Sequence, residues 1–415
     1  MVENNVNPLM AVELPSGWDL IPLGKCVTEK LSYGVNAPAI PYSGSHPSYI
    51  RITDITEDGQ YSDTDRKSVI TQEREKYSLR FGDIVLARTG ASTGKSYLYD
   101  EKDGELIYAG FLIKASVDTK NFNPRFIFGQ LRTPRYWTWV SATSMRSGQP
   151  GINGKEYSSF LLPVAPKEEQ DAIAETLLLF KNHINDLAEL IEKKKGIRDG
   201  ALEDLINGRT RLDEFDGEWK EFTIDDITRS VITGGTPSTA HPEYWGGDIP
   251  WLSSTEIHQK RITRPTTHIT DLGLQNSSAK MAPCRSVLIA LAGQGKTRGT
   301  VAYLTDPMAL NQSLAALVTN EKCNAEFLFY LIENMYLSLR ELSSGDGGRG
   351  GLNKKLIKGI VVTIPVDVSE QEAIAAVLTA MDEEIETLEA ERDKMIQIRE
   401  GAMDDLLMGR VRLVV

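Results

Sequence analysis

EEQDAIAETL, which begins at Glu168, and SEQEAIAAVL, which begins at Ser369, are two versions of one segment separated by 201 positions. The match continues without a gap until Gly208 is aligned with Gly409 and Arg209 with Arg410. Self-similarity at a fixed offset is the signature of a duplicated architecture. The chain is therefore organised as two related halves.

Both copies of this segment have the apolar spacing of a long helix. Apolar residues recur at intervals of three and four, as in a coiled-coil seam, at Ile173, Leu177, Phe180, Ile184, Leu187 and Ile191, and then at Ile374, Leu378, Met381, Ile385 and Leu388. The first helix is predicted from about Gln170 to Asn207, about 57 Å long. Ser369 and Glu372 predict a capping box at the start of the second helix. Gly208 and Gly409 stand where the helices should end.

Two long amphipathic helices in one chain need partners for their seams. We expect them to pair with each other as an antiparallel coiled coil with approximate two-fold symmetry. The alternative is that each helix folds back on the domain that precedes it. Either arrangement follows from the fact that neither helix buries its apolar stripe alone.

The segments between the helices are divergent copies of a mixed domain. Trp18 is aligned with Trp219, and GQPGIN (148–153) is aligned with GRGGLN (348–353). The β-type runs and helical stretches predict an α+β fold with many loops; they are SYIRITDI (48–55), GDIVLART (82–89), SVLIAL (286–291), IVVTIP (360–365), and helices at 124–132 and 325–342. The predicted division is 1–15 tail, 16–165 first domain, 166–209 first helical region, 210–365 second domain and 366–415 second helical region.

The net charge of −12 argues against DNA binding until its distribution is considered. Residues 16–165 carry +2 and residues 216–365 carry 0, whereas residues 166–215 carry −4 and residues 366–415 carry −8. The acidity is therefore concentrated in the helical regions, and the basic residues of both domains are free to cluster.

Other chemistry is weakly represented in the sequence. The three cysteines and five histidines have no spacing suited to a metal site or a disulfide framework. No apolar run is long enough to cross a membrane, and the N-terminus lacks a signal peptide. We expect a cytoplasmic protein that has no catalytic residues, no metal and no membrane partner.

Taken together, the residues resemble those of the specificity subunits of Type I restriction-modification systems. The resemblance covers about Leu14 to Leu413 and is carried by five features: the two tryptophans, GDIVLARTGASTGK (82–95), the GQPGIN and GRGGLN stretches, the EEQ and SEQ helix starts, and the two Gly-Arg helix ends. One departure is that Cys284-Arg285-Ser286 stands where the first half has Phe81-Gly82-Asp83. That difference leaves the equivalence of the following loops open.

The resemblance implies two target-recognition domains, each reading one half of a bipartite site on double-stranded DNA. It also implies that the helices set the gap between the half-sites and that two methyltransferase subunits dock alongside, with restriction/translocase subunits as further partners. S-adenosylmethionine, ATP and Mg²⁺ are then expected only in the partner subunits, and no cofactor is expected in this chain.

Two pairs of glycine-bearing loops are the predicted DNA contacts. Glycine permits close approach of the backbone, whereas Arg, Lys, Asn and Gln side chains suit base edges and phosphates. The predicted residues are Arg88, Lys95, Arg146, Gln149, Asn153 and Lys155 in the first half, and Lys296, Arg298, Arg349, Asn353, Lys354 and Lys355 in the second. For each residue the alternative is a solvated charge on an ordinary loop.

Two rival functions remain at this stage. ALAGQGKT (290–297) loosely matches a nucleotide-binding loop, but the corresponding TGASTGKS (89–96) has lost the glycine spacing, which disfavours an ATPase. The second rival is a coiled-coil adaptor that joins other subunits without contacting DNA. Salt-dependent DNA binding by the assembled complex separates an adaptor from a DNA reader.

Overall fold

The computed structural model describes residues 14–145, 151–293, 296–343 and 351–413. The chain divides into two compact units, Met1–Leu187 with Glu391–Val415 (unit 1) and Ala188–Ala390 (unit 2). Each unit therefore contains one mixed domain, the first part of the helix that follows this domain, and the last part of the other helix. The fold is α+β, as predicted.

Unit 1 is built from short strands with small helices between them. Its elements are β1 (Asp19–Pro22), β2 (Ser32–Tyr33), β3 (Ile40–Pro41), β4 (Ser48–Ile50), β5 (Lys67–Ser68), α1 (Arg74–Tyr77), β6 (Asp83–Ala87), β7 (Ser96–Leu98), β8 (Leu106–Tyr108), β9 (Leu112–Ser116), α2 (Pro124–Gln130), α3 (Pro134–Ser144), α4 (Gly154–Ser159), β10 (Leu161–Val164) and the start of α5 (Lys167–Ile206). The end of α11 (Val368–Leu407) also belongs to unit 1.

Unit 2 repeats this order. Its elements are β11 (Trp219–Thr223), α6 (Ile224–Ile227), β12 (Thr228–Thr233), β13 (Trp245–Leu252), β14 (Arg261–Ile262), β15 (Thr267–Ile269), α7 (Asp271–Gln275), β16 (Lys280–Ala282), β17 (Val287–Ala290), β18 (Val301–Leu304), β19 (Met308–Leu310), β20 (Leu314–Thr319), α8 (Ala325–Asn334), α9 (Tyr336–Leu342), α10 (Lys354–Lys358) and β21 (Val361–Pro365). The single helix predicted over 325–342 is divided in two at Met335.

The sheets of the two units share a strand order. In unit 1 the orders are β2-β9-β6-β7 and β3-β5-β4-β8; in unit 2 they are β12-β20-β17-β18-β14 and β15-β13-β19-β16. The parallel pair β4–β8 has its counterpart in β13–β19. A two-stranded antiparallel pair, β1–β10 or β11–β21, leads into each long helix. The divergent segments therefore keep one topology and differ in their outer strands.

The predicted helix starts need one correction. The second long helix begins at Val368, where the Asp367 carboxylate accepts hydrogen bonds from the backbone N and the Oγ of Ser369. The capping box predicted from Ser369 and Glu372 is therefore wrong, because an aspartate two positions earlier caps the helix. The predicted ends are confirmed, since Gly208 and Gly409 follow the last turns with φ of 64° and 71°.

The ends of the long helices belong to the domain cores. In unit 1, Ile173 near the start of α5 and Leu407 at the end of α11 lie in one core with Phe126 of α2. In unit 2, Ile374 near the start of α11 and Ile206 at the end of α5 lie in the core of the second domain. Each domain therefore holds both its own helix and the other helix.

A three-residue cluster fastens each of these junctions. In unit 1, Glu169 at the start of α5 accepts a hydrogen bond from Trp18 Nε1 at 3.1 Å and is held by the Nε and Nη2 of Arg412 at 2.7 and 2.8 Å. We call Trp18, Glu169 and Arg412 latch 1. Glu169 is buried, so its charge depends on this bidentate partner.

Unit 2 contains the same cluster, and each of its residues is 201 positions from its counterpart. The tryptophan and the glutamate come later in the chain than those of latch 1, whereas the arginine comes earlier. Glu370 accepts from Trp219 Nε1 at 3.2 Å, and from Arg211 Nε and Nη2 at 3.0 and 2.7 Å. We call these three residues latch 2. Next to each glutamate, Gln170 or Gln371 accepts a hydrogen bond from the backbone of the asparagine that caps α2 or α8, at 2.9 and 2.8 Å.

The two long helices also contact each other inside each unit. In unit 2, Lys194 Nζ lies 2.6 Å from Glu384, and Lys195 Nζ lies 2.8 Å from Glu389. In unit 1, His183 Nε2 lies 3.9 Å from the carboxylate of Glu391. The predicted seam residues Ile173, Ile184, Leu187, Ile191, Ile374, Leu378 and Ile385 are buried.

Candidate nucleic-acid interface

The turn between β6 and β7 is held in a fixed shape by its glycines. Gly94 has φ of +93°, and its N donates to the Ala87 carbonyl at 3.0 Å. The Gly94 carbonyl in turn accepts from Tyr136 Oη at 2.7 Å. Burial raises the pKa of Tyr136 well above its usual value, so the phenol stays protonated and continues to donate. The loop is therefore a rigid platform for its side chains.

The second predicted loop of the first half lies directly against this turn. Gly151 forms a bridge with Thr89, and Ile152 N donates to the Arg88 carbonyl at 2.9 Å. Asn153 then caps α4 by accepting from two backbone N–H groups. We call residues 88–95 and 151–155 loop cluster 1. The structure thus brings together two loops that the sequence separates by more than fifty positions.

Unit 2 builds the same junction with the same backbone contacts. Gly299 N donates to Ala290 O, and Leu352 N donates to Leu291 O, both at 3.0 Å. Asn353 caps α10 by accepting from Leu356 N at 3.0 Å. We call residues 291–293, 296–300 and 351–355 loop cluster 2.

These contacts also settle which residues of the two loops correspond. Gly94 and Gly299 make the same hydrogen bond, and the next residues, Lys95 and Thr300, both accept from the strand at 2.8 and 2.9 Å. Lys296 therefore lies at another point of its loop than Lys95. The departure before the strand is resolved by Arg285, which has φ of 61° where Gly82 has φ of 85°.

In loop cluster 1 the predicted cations have distinct surroundings. The Arg88 guanidinium lies 4.9 Å from the ring centre of Tyr33, and within the described chain its buried Nε has no hydrogen-bond partner. Lys95 Nζ is 2.7 Å from Glu57. Lys155 is exposed, and the Oδ1 of Asn153 is used in the cap, which leaves its amide group to donate. The cluster thus presents positive charge over an aromatic surface.

Loop cluster 2 also presents basic side chains. Lys296 is exposed, and its carbonyl accepts from Tyr336 Oη at 2.9 Å. Arg298 Nη1 donates to Ser343 Oγ at 3.3 Å, and its Nε is buried without a partner among the described atoms. Lys354 and Lys355 are exposed on the first turn of α10. Arg146, Gln149 and Arg349 lie outside the described residues.

Two exposed aromatic residues beside loop cluster 1 were missed by the sequence analysis. Phe111 is 58% exposed, and its carbonyl accepts from Arg88 N at 3.0 Å. Tyr33 is 42% exposed, and its Oη accepts from Gly154 N at 3.0 Å. Apolar groups at such positions suit contact with a base or its methyl group. The sequence gave little signal for either residue, because Phe111 lies in the short connection between β8 and β9, which belong to different sheets.

Over the described residues, no group of three or more His, Cys, Asp or Glu side chains is arranged to hold a metal ion. Nor does any described helix combine the length and apolar character needed to cross a bilayer.

Comparison with known proteins identifies the family. A family profile described as "Type I restriction modification DNA specificity domain" matches residues 41–195 and 216–397. The type I restriction enzyme MjaVIII specificity subunit of Methanocaldococcus jannaschii is 21% identical over 439 residues, covering 99% of this chain and 97% of that protein. The MjaIX specificity subunit of the same organism is 28% identical over 194 residues, covering 46% of this chain and 44% of that protein.

Solved structures give the same result for the fold. The crystal structure of the Type I restriction-modification system S subunit from M. genitalium has a TM-score of 0.60 and 16% sequence identity, and the match covers 98% of both chains. The HsdS subunit from Thermoanaerobacter tengcongensis has a TM-score of 0.52 and 18% identity, covering 96% of this chain and 98% of that one. Because the family profile spans both halves, this chain belongs to the specificity subunits of Type I restriction-modification systems, the non-catalytic subunits that recognise DNA.

Proposed function

We propose that loop cluster 1 and loop cluster 2 each read one half of a bipartite site on double-stranded DNA. The observation that carries this proposal is the equivalence of the clusters, which use the same backbone contacts to present different side chains. Arginine and lysine suit guanine edges and phosphates, and the amide N–H groups of the capping asparagines can donate to acceptors on base edges. The coiled-coil adaptor without DNA contact is not favoured, because it leaves the two basic clusters without a role.

We further propose that α5 and α11 pair as an antiparallel coiled coil with approximate two-fold symmetry. The ion pairs of Lys194 with Glu384 and Lys195 with Glu389 support this pairing, as do the two latches. Each helix has 40 residues and is therefore about 60 Å long. The helix pair then acts as a spacer that determines the gap between the half-sites.

Two methyltransferase subunits are the proposed partners of the helices. Ile197 and Ile398, which are 201 positions apart, are 60% and 44% exposed on α5 and α11. Exposed apolar residues at equivalent positions of the two helices suit the binding of two copies of one partner protein. Restriction subunits would join the same complex in the cytoplasm, and S-adenosylmethionine, ATP and Mg²⁺ would act in the partner subunits.

The spacer proposal is tested by lengthening both helices together. Inserting seven helical residues after Glu189 and after Ala390 preserves the seam register and adds about 10 Å, or about three base pairs. Selection of bound sequences from random DNA by the assembled methyltransferase complex should return unchanged half-sites with a longer gap.

The matched control places the same seven residues after Glu214, in the exposed loop between α5 and β11. That variant should keep the original gap. Altered half-sites with an unchanged gap in the helix variant would refute the spacer proposal.

A further inference from the structure

Unit 2 contains an ion network where its domain meets the long helices. Arg198 of α5 donates from Nε to Asp382 of α11 at 2.9 Å and also pairs with Glu333 of α8. Lys260 Nζ lies 3.0 Å from Glu333 and 3.4 Å from Asp382. Arg198 and Asp382 are buried. These four residues contain two cations and two carboxylates, and the exposed carboxylate of Asp199 also lies 3.4 Å from Arg198 Nη1.

The repeat places a different set of charges at the same junction of unit 1. The counterparts of Arg198, Asp382 and Glu333, each 201 positions away, are Arg399, Lys181 and Arg132. This register is the one in which the latches and the asparagine caps of α2 and α8 coincide. The carboxylates of Glu333 and Asp382 are therefore both replaced by cations.

The unit 1 counterpart of the fourth residue, Lys260, follows from equivalent hydrogen bonds in the sheets of the two units. Ala109 N donates to Ile50 O in unit 1 as Asn311 N donates to Leu252 O in unit 2, which gives an offset of 202. The counterpart of Lys260 is then Asp58.

The resulting set in unit 1 is Arg399, Lys181, Arg132 and Asp58. It carries three positive charges and one negative charge, whereas the unit 2 set is balanced. The exchange of charge at Asp58 compensates only one of the two changes from carboxylate to cation.

Arg132 is the cation of unit 1 that interacts with both of the others, and none of the three forms a direct ion pair within the described residues. Arg132 and Lys181 act on each other electrostatically, as do Arg132 and Arg399. Burial lowers the pKa of Arg132 and of Lys181. The neighbouring cations act in the same direction, and the carboxylate of Asp58 acts against them.

The carboxylates of Asp58 and Asp100 act on these cations electrostatically, but within the described residues neither makes a direct ion pair with them. The Arg132 guanidinium rests over the Phe128 ring at 5.6 Å. In unit 2, Tyr330 Oη donates to Asp382 at 2.9 Å, and its ring lies 5.6 Å from the Arg198 guanidinium. Gly129 stands at that position in unit 1, where a Cβ would lie 3.0 Å from Leu407, so the tyrosine of the unit 2 network has no counterpart. Half-buried cations that outnumber the nearby carboxylates and form no direct ion pair suit an external anion.

We propose that Arg132, Lys181 and Arg399 form a binding site for a phosphate group. Two guanidinium groups and one ammonium group provide the forked and point donors that phosphate oxygens accept. The phosphate is either free inorganic phosphate or a backbone phosphate of DNA. The second source is within reach of the candidate interface, since Glu57, next to Asp58, is paired with Lys95 of loop cluster 1.

The test uses the full chain and the internal repeat as its template. The variant Asp58→Lys, Arg132→Glu, Lys181→Asp copies the four-residue network of unit 2, and Arg125→Glu on the exposed side of α2 is the control with the same change in net charge. At ten times its Kd, phosphate should raise the melting temperature of the wild type by about 3–6 °C relative to chloride at matched ionic strength. The control should respond equally, and the triple variant should not respond.

A second variant, Lys181→Met, keeps the test decisive if the triple variant does not fold, since it removes one cation without adding a charge. It should lose most of the response. The proposal is overturned if the wild type shows no rise specific to phosphate, or if the rise persists in these variants.

DNA binding by the methyltransferase complex then identifies the source of the phosphate. A salt slope reduced by about one in Lys181→Met indicates a DNA phosphate. An unchanged slope, with the response to inorganic phosphate lost, indicates a free anion. The phosphate measurement needs no DNA, so its outcome is independent of the proposed reading of half-sites.

Discussion

Removing Arg211 should cost unit 2 far more than its position in a connecting segment implies. Glu370 is fully buried and accepts only from Arg211 and Trp219 among the described side chains. In Arg211→Ala the carboxylate keeps a single indole hydrogen bond at 3.2 Å. Breaking a buried ion pair from one side costs about 3 kcal/mol or more. We therefore expect a free energy of unfolding lower by about 3 kcal/mol.

The assay combines urea denaturation with hydrogen exchange measured by mass spectrometry. A loss of this size lowers the melting temperature of a unit of about 200 residues by about 6–12 °C. The loss of protection should be concentrated in β11, β21, the start of α11 and the end of α5, which meet at latch 2. Adding Glu370→Gln should restore part of the stability, because a neutral amide is less costly to bury than an unpaired charge.

The control is Arg209→Ala, two positions away. Arg209 pairs with Glu203 on the surface, with both side chains more than half exposed, and such pairs contribute at most about 1 kcal/mol. Equal effects of Arg209→Ala and Arg211→Ala would refute the latch reasoning. So would a loss of protection confined to unit 1.

Latch 1 adds a dependence on pH. The Arg412 guanidinium holds the pKa of Glu169 below its usual value of 4.5, against the opposing effect of burial. A carboxyl with a lowered folded-state pKa stabilises the fold fully above 4.5, and this contribution is lost as the pH falls through the folded-state value. The difference in unfolding free energy between wild type and Arg412→Ala should therefore shrink below pH 4.5. A difference that stays constant across this range would contradict the ion pair.

Two further predictions concern the loop turns and the ion network of unit 2. Gly94→Ala should destabilise unit 1 by about 1–3 kcal/mol in urea titrations and weaken selection of one half-site, since the new Cβ would lie 2.7 Å from Val140 and 2.9 Å from Trp137. Gly90→Ala, with a similar φ but open space, should have a smaller effect. Asp382→Ala should cost about 3 kcal/mol because Arg198 loses its partner on α11. Lys260→Ala, which removes a partly exposed cation, should cost less, and an equal cost would contradict this assignment.

The long helices were predictable because one physical requirement shaped both copies. Ile173, Ile184 and Ile374 had to be apolar at helical spacing whatever they packed against, and all three are buried. The helix ends were equally predictable, because the residue after a helix often has a positive φ, which favours glycine over other residues. Neither the apolar spacing nor the glycine shows what packs against a helix. Pairing of the two helices and packing of each helix on the domain before it therefore both remained possible. The structure places helix ends from two parts of the chain in each domain core.

The latches were not predictable from local patterns. Glu169 and Glu370 stand in the first turn of a helix, where acidic residues usually face solvent and interact with the helix dipole. Their burial depends on Trp18 and Trp219, about 150 positions earlier, and on arginines in other segments. Only the 201-residue repeat linked these residues, and it did so without indicating contact.

The loop residues were identified by type but not by correspondence. Lys95 and Lys296 follow similar glycine patterns, yet the backbone contacts equate Lys95 with Thr300. Sequence alignment fails here because the loop of unit 2 is longer than the loop of unit 1. The correct alignment matches Gly94 with Gly299, the glycines that make the same backbone hydrogen bond. Before strands β6 and β17 the residue types differ although the backbone agrees. Arg285 has a positive φ, as Gly82 does.

The two halves have the same latch residues but different charges at the neighbouring junction, and this contrast has a physical explanation. The latches agree residue for residue, because changing any one member strands a buried charge or an indole donor. The junction around Arg198 and Arg399 has changed sign at three of its four positions, and the four residues carry a net charge of two more in unit 1 than in unit 2. Because both junctions join the same elements by the same latch contacts, the difference cannot arise from a different fold. The phosphate titration tests whether an anion from solution balances this excess positive charge in unit 1.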